Sequence, residues 1–428
     1  MHVNKISGFS FDRSSVINID NNIEPTWAKD PRIKKKFIIC LGDGMADWPI
    51  PALGFKTPLE IANTPSLNKA AELGQNGIVN LIPEGYPAGS DVANLSVLGY
   101  DVKTCYTGRA PIEAASMELN IAQEEIPFRC NFVTIQNNIM VDFTAGHITN
   151  EEAFVLIKEL NNYWKNMGIR FFNGVSYRHI ALLNQKFLPL LTTPPHDIIS
   201  KEITRFLPIG HNNEDLISIM KECNTLLLHS TVNKKRIAEG KLPATDIWLW
   251  GQGKPIQLES FASKYDLSGA MITAVDLLKG IGKLIGFSTP YIEGATGFID
   301  TNYERKLQTA LKFLEEKDLV YIHIEAPDEA GHLGDAKIKI KAIEDFSEKI
   351  IGPILQYQKQ NPNVHLMILP DHATPIELRT HTQDPVPFII YYPDIKKDFI
   401  IHYTEKEAQK SKLNFKNGIE LLNYFLTA

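Results

Sequence analysis

The chain has 428 residues, of which 44% are hydrophobic and 22% charged, and a formal net charge of −6. That length allows two or three domains, the composition is that of an ordinary soluble globular protein, and the acidic balance without a large basic block excludes nucleic acid as the main partner. No apolar run reaches 18 residues, which excludes a membrane-spanning helix, so no membrane partner is expected, and Cys40, Cys105, Cys130 and Cys223 show no Cys-x-x-Cys spacing, which suits a reducing, cytoplasmic setting without structural disulfides.

Residues 1–36 contain no apolar signal-peptide core and read as a polar extension ending in Lys34-Lys35-Lys36, a solvated lead-in to the first strand. Phe37-Ile38-Ile39-Cys40-Leu41 then runs into Gly42-Asp43-Gly44. Thr64 reads as the N-cap of a helix with Pro65 at its first position and Gly74 as its stop, and 78–82 reads as the next strand. A turn-rich stretch, 83–89, leads to Gly89-Ser90-Asp91-Val92-Ala93-Asn94, whose continuation looks like the first turns of a helix. A serine there is either a simple N-cap or a nucleophile among free backbone N–H groups at the positive end of the helix dipole.

From about Met117 the texture changes. Residues 132–136 and 139–143, joined by Asn137-Asn138, read as a β-hairpin. A helix follows from Asn150, then strands at 169–173 and 177–183, a loop over 200–211, and a long amphipathic helix from Asn213 to about Ala238. After this block the α/β rhythm resumes. A helix is expected over 276–285, where Gly280-Ile281-Gly282-Lys283 lacks Walker spacing and reads as helix packing. Helices are also expected over 303–317 and 338–356. Two more apolar runs end on charged residues. Residues 319–324 run into Asp328 and His332, and 365–369 into Pro370-Asp371-His372, with His381 nine residues on.

Apolar runs of this kind read as buried strands of a parallel sheet, and sites in such sheets form outside the carboxyl ends of the strands. Three carboxylates and three imidazoles gathered there would repel one another and be costly to desolvate unless metal ions compensate. The expected site therefore takes two divalent metals, and Ser90 beside them is the candidate nucleophile. His2, His229, His323, His365 and His402 are expected to be surface or core residues.

The order Gly-Asp-Gly-Met, Thr64-Pro65-Ser66-Leu67-Asn68, Gly-Ser-Asp, Asp-Glu-Ala-Gly-His, Pro-Asp-His and Thr-His-Thr resembles the alkaline phosphatase superfamily. Within it, 99–101, 106–111, 128–132, 293–297 and 300–303 resemble the cofactor-independent (2,3-bisphosphoglycerate-independent) phosphoglycerate mutases of archaeal type, over roughly residues 37–425. The resemblance implies an α/β fold: a three-layer αβα core with a mainly parallel sheet, plus a smaller inserted α+β domain. The expected division is an extension over 1–36, a discontinuous metal-binding domain over 37–115 and 245–428, and a substrate-clamping insert over 116–244.

By the same resemblance, one metal would be held by Asp328, His332 and His381, and the other by Asp43, Ser90, Asp371 and His372. Mixed carboxylate and imidazole donors suit Mn²⁺ first, with Zn²⁺, Co²⁺ or Mg²⁺ as alternatives. The implied activity is interconversion of 3-phosphoglycerate and 2-phosphoglycerate through a phosphoserine, a step of glycolysis and gluconeogenesis, by a monomer or homo-oligomer. A mutase must hold the glycerate while excluding water, and arginine forks suit its carboxylate and phosphate, so Arg109, Arg129 and Arg178 are candidate clamps. Asp142, His147 and His179 could complete the polar lining and shuttle protons near neutral pH, with Lys306 as a further candidate. Asn94 and His147 depart from the commoner pattern and resemble a homoserine-kinase-like bacterial branch. This keeps a metal-dependent phosphotransferase or phosphatase on another small metabolite open as a second reading, and a non-catalytic metal-binding protein of this fold as a third.

Overall fold

The structure, a computed structural model, describes residues 34–428; the extension expected over 1–36 lies outside the described residues except for its last three lysines. Residues 35–428 form one compact unit. No described helix is long and apolar enough to cross a membrane.

The strands in chain order are β1 Lys36–Gly42, β2 Gln75–Val79, β3 Glu125–Gln136, β4 Ile139–Asp142, β5 Arg170–Phe172, β6 Arg178–Asn184, β7 Leu190–Leu191, β8 Ile209–Gly210, β9 Asp246–Trp250, β10 Gly269–Ile272, β11 Leu319–Ile324, β12 Val364–Leu369, β13 Val386–Tyr391 and β14 Leu413–Phe415. Seven form one sheet in the order β10-β11-β1-β12-β13-β2-β14. Only β13 runs against the others.

Both faces of this sheet are covered, which explains the unbroken apolar runs. Phe37, Ile39 and Leu41 enter one core with Tyr321, Met367 and Leu369. Ile38 and Cys40 point the other way, into a core with Val320, Ile322, Leu366 and Ile368. Fully burying one such aliphatic side chain is worth about 1.5–3 kcal/mol. The central strands β11, β1 and β12 are therefore firmly held, and the loops at their carboxyl ends start from a rigid edge.

The second sheet is antiparallel and built around β3, which pairs with β4, β6 and β9, while β5 extends it beyond β6. Its own core includes Phe128, Phe132, Leu156, Leu183 and Trp248. The β3–β4 turn fits its sequence, because Asn137 and Asn138 both take positive φ, as a tight two-residue hairpin requires. Strand β9 pairs with β3 over Arg129–Val133, so the second sheet draws on residues 125 to 250.

Several elements differ from expectation. The long helix from Asn213 is two helices, Asn213–His229 and Thr231–Ala238, because Ser230 leaves the helical region and caps the second through Val232 N–H at 3.2 Å. Strand β2 starts three residues early: Gly77 lies where a Cβ would meet Leu413 O at 2.4 Å, so only glycine lets β14 pair alongside. Thr64 occupies the N-cap position without a side-chain cap bond, and Ser347 Oγ accepts the Leu67 N–H at 3.3 Å instead. The expected loop over 200–211 contains the Ile203–Phe206 3₁₀ turn and β8. The helix expected over 338–356 runs from Ala336 to Gln360 through a π turn at Ser347–Ile351, just before Pro353, which has no N–H to continue the ladder.

Candidate active site

Three adjacent strand ends build the first half of the site. Asp43 follows β1, and its N–H donates to Ile324 O at 2.9 Å, tying the ends of β1 and β11 together. Gly44 takes φ +59°, and a Cβ there would lie 2.5 Å from Asp328 Oδ1, so glycine is what lets these loops close. Beyond β11, the helix Ala326–Leu333 carries Asp328 in its first turn and His332 in its last, four residues apart on one face. Beyond β12 come Asp371 and His372, and Asp371 Oδ1 accepts from Gly44 N–H at 3.1 Å.

The side chains converge. His372 Nε2 lies 3.5 Å from Asp43 Oδ1 and 3.4 Å from Asp371 Oδ2. His381 Nε2 lies 3.4 Å from Asp328 Oδ1, and His332 Nε2 lies 3.2 Å from Asp328 Oδ2. The rings of His372 and His381 stack at 4.0 Å. Two groups of potential ligand atoms result, Asp328 with His372 and His381, and Asp43 with Asp371 and His372. His372 is thus within reach of both, which differs from the expected division, where it served only the Asp43 side.

The donor chemistry fits cations. His332 Nδ1 meets Arg379 O at 2.9 Å and His381 Nδ1 meets Ala88 O at 3.1 Å, so each Nδ1 carries the proton. That turns two Nε2 lone pairs toward each other at 3.0 Å. Such an approach requires a positive centre, which is a proton in the metal-free protein or a divalent ion in its place. Burial works against charge on Asp328, but His381 and His332 hold its carboxyl well below the usual range. Reciprocally, Asp328 lifts His332 to about 9 despite burial. Burial, then Asp371 and Asp328, push the Asp43 carboxyl well up, and Asp43 Oδ1 is a buried oxygen without a hydrogen-bond donor. Burial takes His372 down to about 4, so its imidazole is neutral at neutral pH.

Ser90 is the first residue of the helix Ser90–Val97, and Gly89 is the N-cap, which removes the simple capping reading. Its Oγ lies 3.1 Å from His372 Nε2. Asn94, one turn on, donates to Asp371 Oδ2 at 3.0 Å and to Ser90 O at 2.8 Å, while Tyr321 OH donates to Asn94 Oδ1. Asn94 is fully buried, so it braces the start of the Ser90 helix against Asp371 from inside.

The second half of the site comes from the other sheet. Glu113, on the helix Arg109–Ser116, gathers arginines: Arg109 Nε at 3.0 Å and Arg129 Nε at 2.8 Å. Arg178 acts on Glu113 as well. Arg129 lies over the Trp250 ring at 4.2 Å. Burial pushes its guanidinium down to about 10, with Glu113 opposing and Arg109 and Arg178 adding to the effect. Three guanidiniums gather around Glu113, with Asp91 also acting on Arg109, and forks of this kind suit an anion. Arg178 is exposed and has no ion pair among the described residues. Its charge also reaches Glu329, next to Asp328, so the arginine cluster faces the strand-end cluster.

The remaining candidates are placed differently. Asp142 Oδ1 accepts from Thr144 N–H and Oγ–H and so holds its own turn. His147 is exposed, with φ +50°. His179 is 2% exposed, packs edge-on to Phe132, and accepts from Gly174 N–H at 3.1 Å. Burial takes its pKa to about 3. It is a neutral core residue that supports β6. Lys306 is fully buried and pairs with Glu325 rather than facing a ligand.

Sequence reasoning missed the support behind Asp43. His323 Nε2 sits 3.1 Å from Asp43 Oδ2, and its Nδ1 sits 3.1 Å from Glu325 Oε1. Glu325 also accepts from Thr273 Oγ–H at 3.0 Å. Lys339, fully buried, donates to Asp47 and to the carbonyls of Ala46 and Thr374, and Thr374 Oγ1 donates to Asp328. A histidine inside an otherwise apolar strand was the available signal for the first network. Glu113 had none, being one more acid on an amphipathic helix.

Residues 71–233 match the family model described as 2,3-bisphosphoglycerate-independent phosphoglycerate mutase. A curated protein of that name from Methanosarcina barkeri is 44% identical over 396 residues, covering 92% of this chain and all of the relative. A solved Pyrococcus horikoshii structure superposes with a TM-score of 0.78 at 30% identity, covering 92% of this chain and 97% of that one. A cofactor-independent phosphoglycerate mutase structure from Thermoplasma acidophilum shares the fold, with a TM-score of 0.61 at 23% identity over 92% of this chain and 99% of that one. The chain belongs to the 2,3-bisphosphoglycerate-independent phosphoglycerate mutase family.

Proposed function

We propose that this member of the family interconverts 3-phosphoglycerate and 2-phosphoglycerate by way of a phosphoserine at Ser90. The observation that carries the reading is the Ser90 hydroxyl in the first turn of a helix, 3.1 Å from His372 Nε2 and so beside the Asp43 and Asp371 carboxylates. One cation would be held by Asp328, His332 and His381, and another by Asp43, Ser90, Asp371 and His372, with Mn²⁺ the ion this donor set suits first. Bound there, the cations would favour the ionised Ser90 hydroxyl and offset the charge of the phosphoryl oxygens.

The chain's own groups do the rest. Ser90 Oγ takes the phosphoryl group from the C3 oxygen of the substrate. The free N–H groups and dipole of the helix beginning at Ser90 favour the phosphate it then carries. Arg109, Arg129 and Arg178 hold the glycerate by its carboxylate while it reorients. Keeping water out during that interval separates a mutase from a phosphatase. The second sheet, from the inserted segment 116–244 with β9, is the clamp that does so. Asn94 is fully buried and donates to Asp371 Oδ2. In this reading one of the two departures that kept a homoserine-kinase-like substrate open, Asn94, supports Ser90 and Asp371.

The test is direct. Purified protein is incubated with 3-phosphoglycerate and Mn²⁺ without bisphosphoglycerate, and 2-phosphoglycerate is the expected product. Inorganic phosphate as the sole product, or a requirement for ATP, would replace the mutase reading with one of its rivals.

A further inference from the structure

Three imidazoles turn Nε2 toward the candidate cation sites, and each can offer a lone pair there only while its proton stays on Nδ1. For His332 and His381 a main-chain carbonyl holds that proton, and a carbonyl can only accept. His372 differs. Its Nδ1 lies 3.2 Å from Thr374 Oγ1, a hydroxyl that can accept or donate. The tautomer of His372 therefore depends on which way one side chain turns its hydrogen.

The surroundings fix that choice. A hydroxyl has one hydrogen, and Thr374 Oγ–H donates it to Asp328 Oδ1, a carboxylate oxygen that offers lone pairs. Toward His372 the same hydroxyl has only lone pairs left, so Nδ1–H is the donor of that bond. The Nε2 lone pair then faces Ser90 Oγ at 3.1 Å, and Ser90 directs its own hydrogen at it.

Thr374 has no room to turn away. It is fully buried, its N–H donates to Ala46 O at 3.2 Å, and its carbonyl accepts from the Lys339 ammonium at 2.8 Å. Lys339 also donates to Ala46 O at 3.0 Å and to Asp47 Oδ2 at 2.8 Å, so one buried cation ties both stretches of chain together. On the other side Gly331, next to His332, packs so closely that a Cβ there would lie 2.7 Å from Thr374 Cγ2. Such a wall holds the hydroxyl between Asp328 and His372.

We infer that Thr374 is a positioning residue: its hydroxyl sets the tautomer of His372, so that the ring offers Nε2 to the Ser90 hydroxyl and to the cation proposed on that side. The assignment rests on the cation sites of the proposed function and not on the identity of the substrate. Without the hydroxyl, the buried His372 Nδ1–H loses its acceptor. The tautomer protonated on Nε2, which has no lone pair to give on the Ser90 side, then competes.

The experiment uses the full-length protein, with Thr374→Val, which keeps the shape, and Thr374→Ser, which keeps the hydroxyl. Mn²⁺ is titrated into each, and free Mn²⁺ is followed by electron paramagnetic resonance. Wild type is expected to take up two ions. Thr374→Val should weaken one of them by ~10–100-fold and leave the other within about threefold, while Thr374→Ser stays within about threefold for both. Wild-type Mn²⁺ binding by Thr374→Val would overturn the assignment, whatever its Tm. So would an equal loss in both variants, which would make Thr374 a packing residue. Nitrogen-15 spectra of the metal-free wild type give a reading that needs no variant: His372 should carry its proton on Nδ1, and a proton on Nε2 alone would overturn the assignment. A wild type that forms no 2-phosphoglycerate, while Thr374→Val shows the selective Mn²⁺ loss, would sink the mutase reading and leave this assignment standing. A wild type that binds no Mn²⁺ would overturn both the cation sites and the assignment.

Discussion

Arg178→Ala separates the clamp from the fold. The side chain sits at the exposed start of β6, with its guanidinium 5.6 Å from the Tyr177 ring and no ion pair among the described residues. Removing it should leave stability within about 0.5 kcal/mol of wild type. Its charge nevertheless acts on Glu113, beside Arg129, and on Glu329, beside Asp328. A substrate anion bridging the two halves would lose one charge-assisted bond, worth about 1.5–3 kcal/mol, which is roughly one to two decades in rate or affinity. The loss should fall mainly on the return step, because a loosened glycerate can leave and let water take the phosphate. The assay follows 2-phosphoglycerate and inorganic phosphate together, and their ratio should shift toward phosphate. Arg129→Ala is the contrast. Arg129 is 6% exposed and paired with Glu113 at 2.8 Å, so its loss should lower Tm as well as activity, tempered because Arg109 still neutralises Glu113. If Arg178→Ala keeps both the wild-type rate and the wild-type product ratio, the arginine cluster is a structural ion network and the clamp lies elsewhere.

Ser90→Ala should lower turnover on the order of 10⁴-fold or more while its Tm stays near wild type, and acid-stable phosphoenzyme should disappear; near-wild-type turnover would rule out the phosphoserine. Chelation should remove activity, and Mn²⁺ should restore it better than Ca²⁺, which prefers six to eight oxygens and suits three imidazoles poorly; full activity in excess chelator after long dialysis would remove the metals from the mechanism. Burial pushes the Glu405 carboxyl up to about 7, against hydrogen bonds from Thr57 Oγ–H and Asp47 N–H. Because its folded pKa lies above the unfolded one, the folded state holds the extra proton, and stability is lost as pH rises from about 4.5 to about 7. Glu405→Gln should therefore gain on wild type across that window, by on the order of 2 kcal/mol, and thermal melts at pH 5 and pH 8 showing the same difference would contradict the shift.

Much of this architecture is written locally. Strands β1, β11 and β12 could be read because a strand buried on both faces must be apolar at every position, and their ends could be read because Asp43, Asp328, Asp371 and His372 follow directly after those runs. The Asn137-Asn138 turn and the Thr149–Glu152 capping box at the start of the Asn150–Trp164 helix are also local, since the interacting groups lie within a few residues. Only the folded chain decided the rest. Gly77 sets the register of β2 because of a carbonyl 336 residues away, at Leu413. The Nε2 atoms of His332 and His381 meet because two loops close over Gly44. Glu113 gathers arginines from a helix and two strands of the other sheet. Hydrophobic periodicity and capping are short-range and leave a pattern along the chain. Charge pairing across hundreds of residues leaves none, because any one acid, arginine or histidine looks the same until the fold chooses its partner.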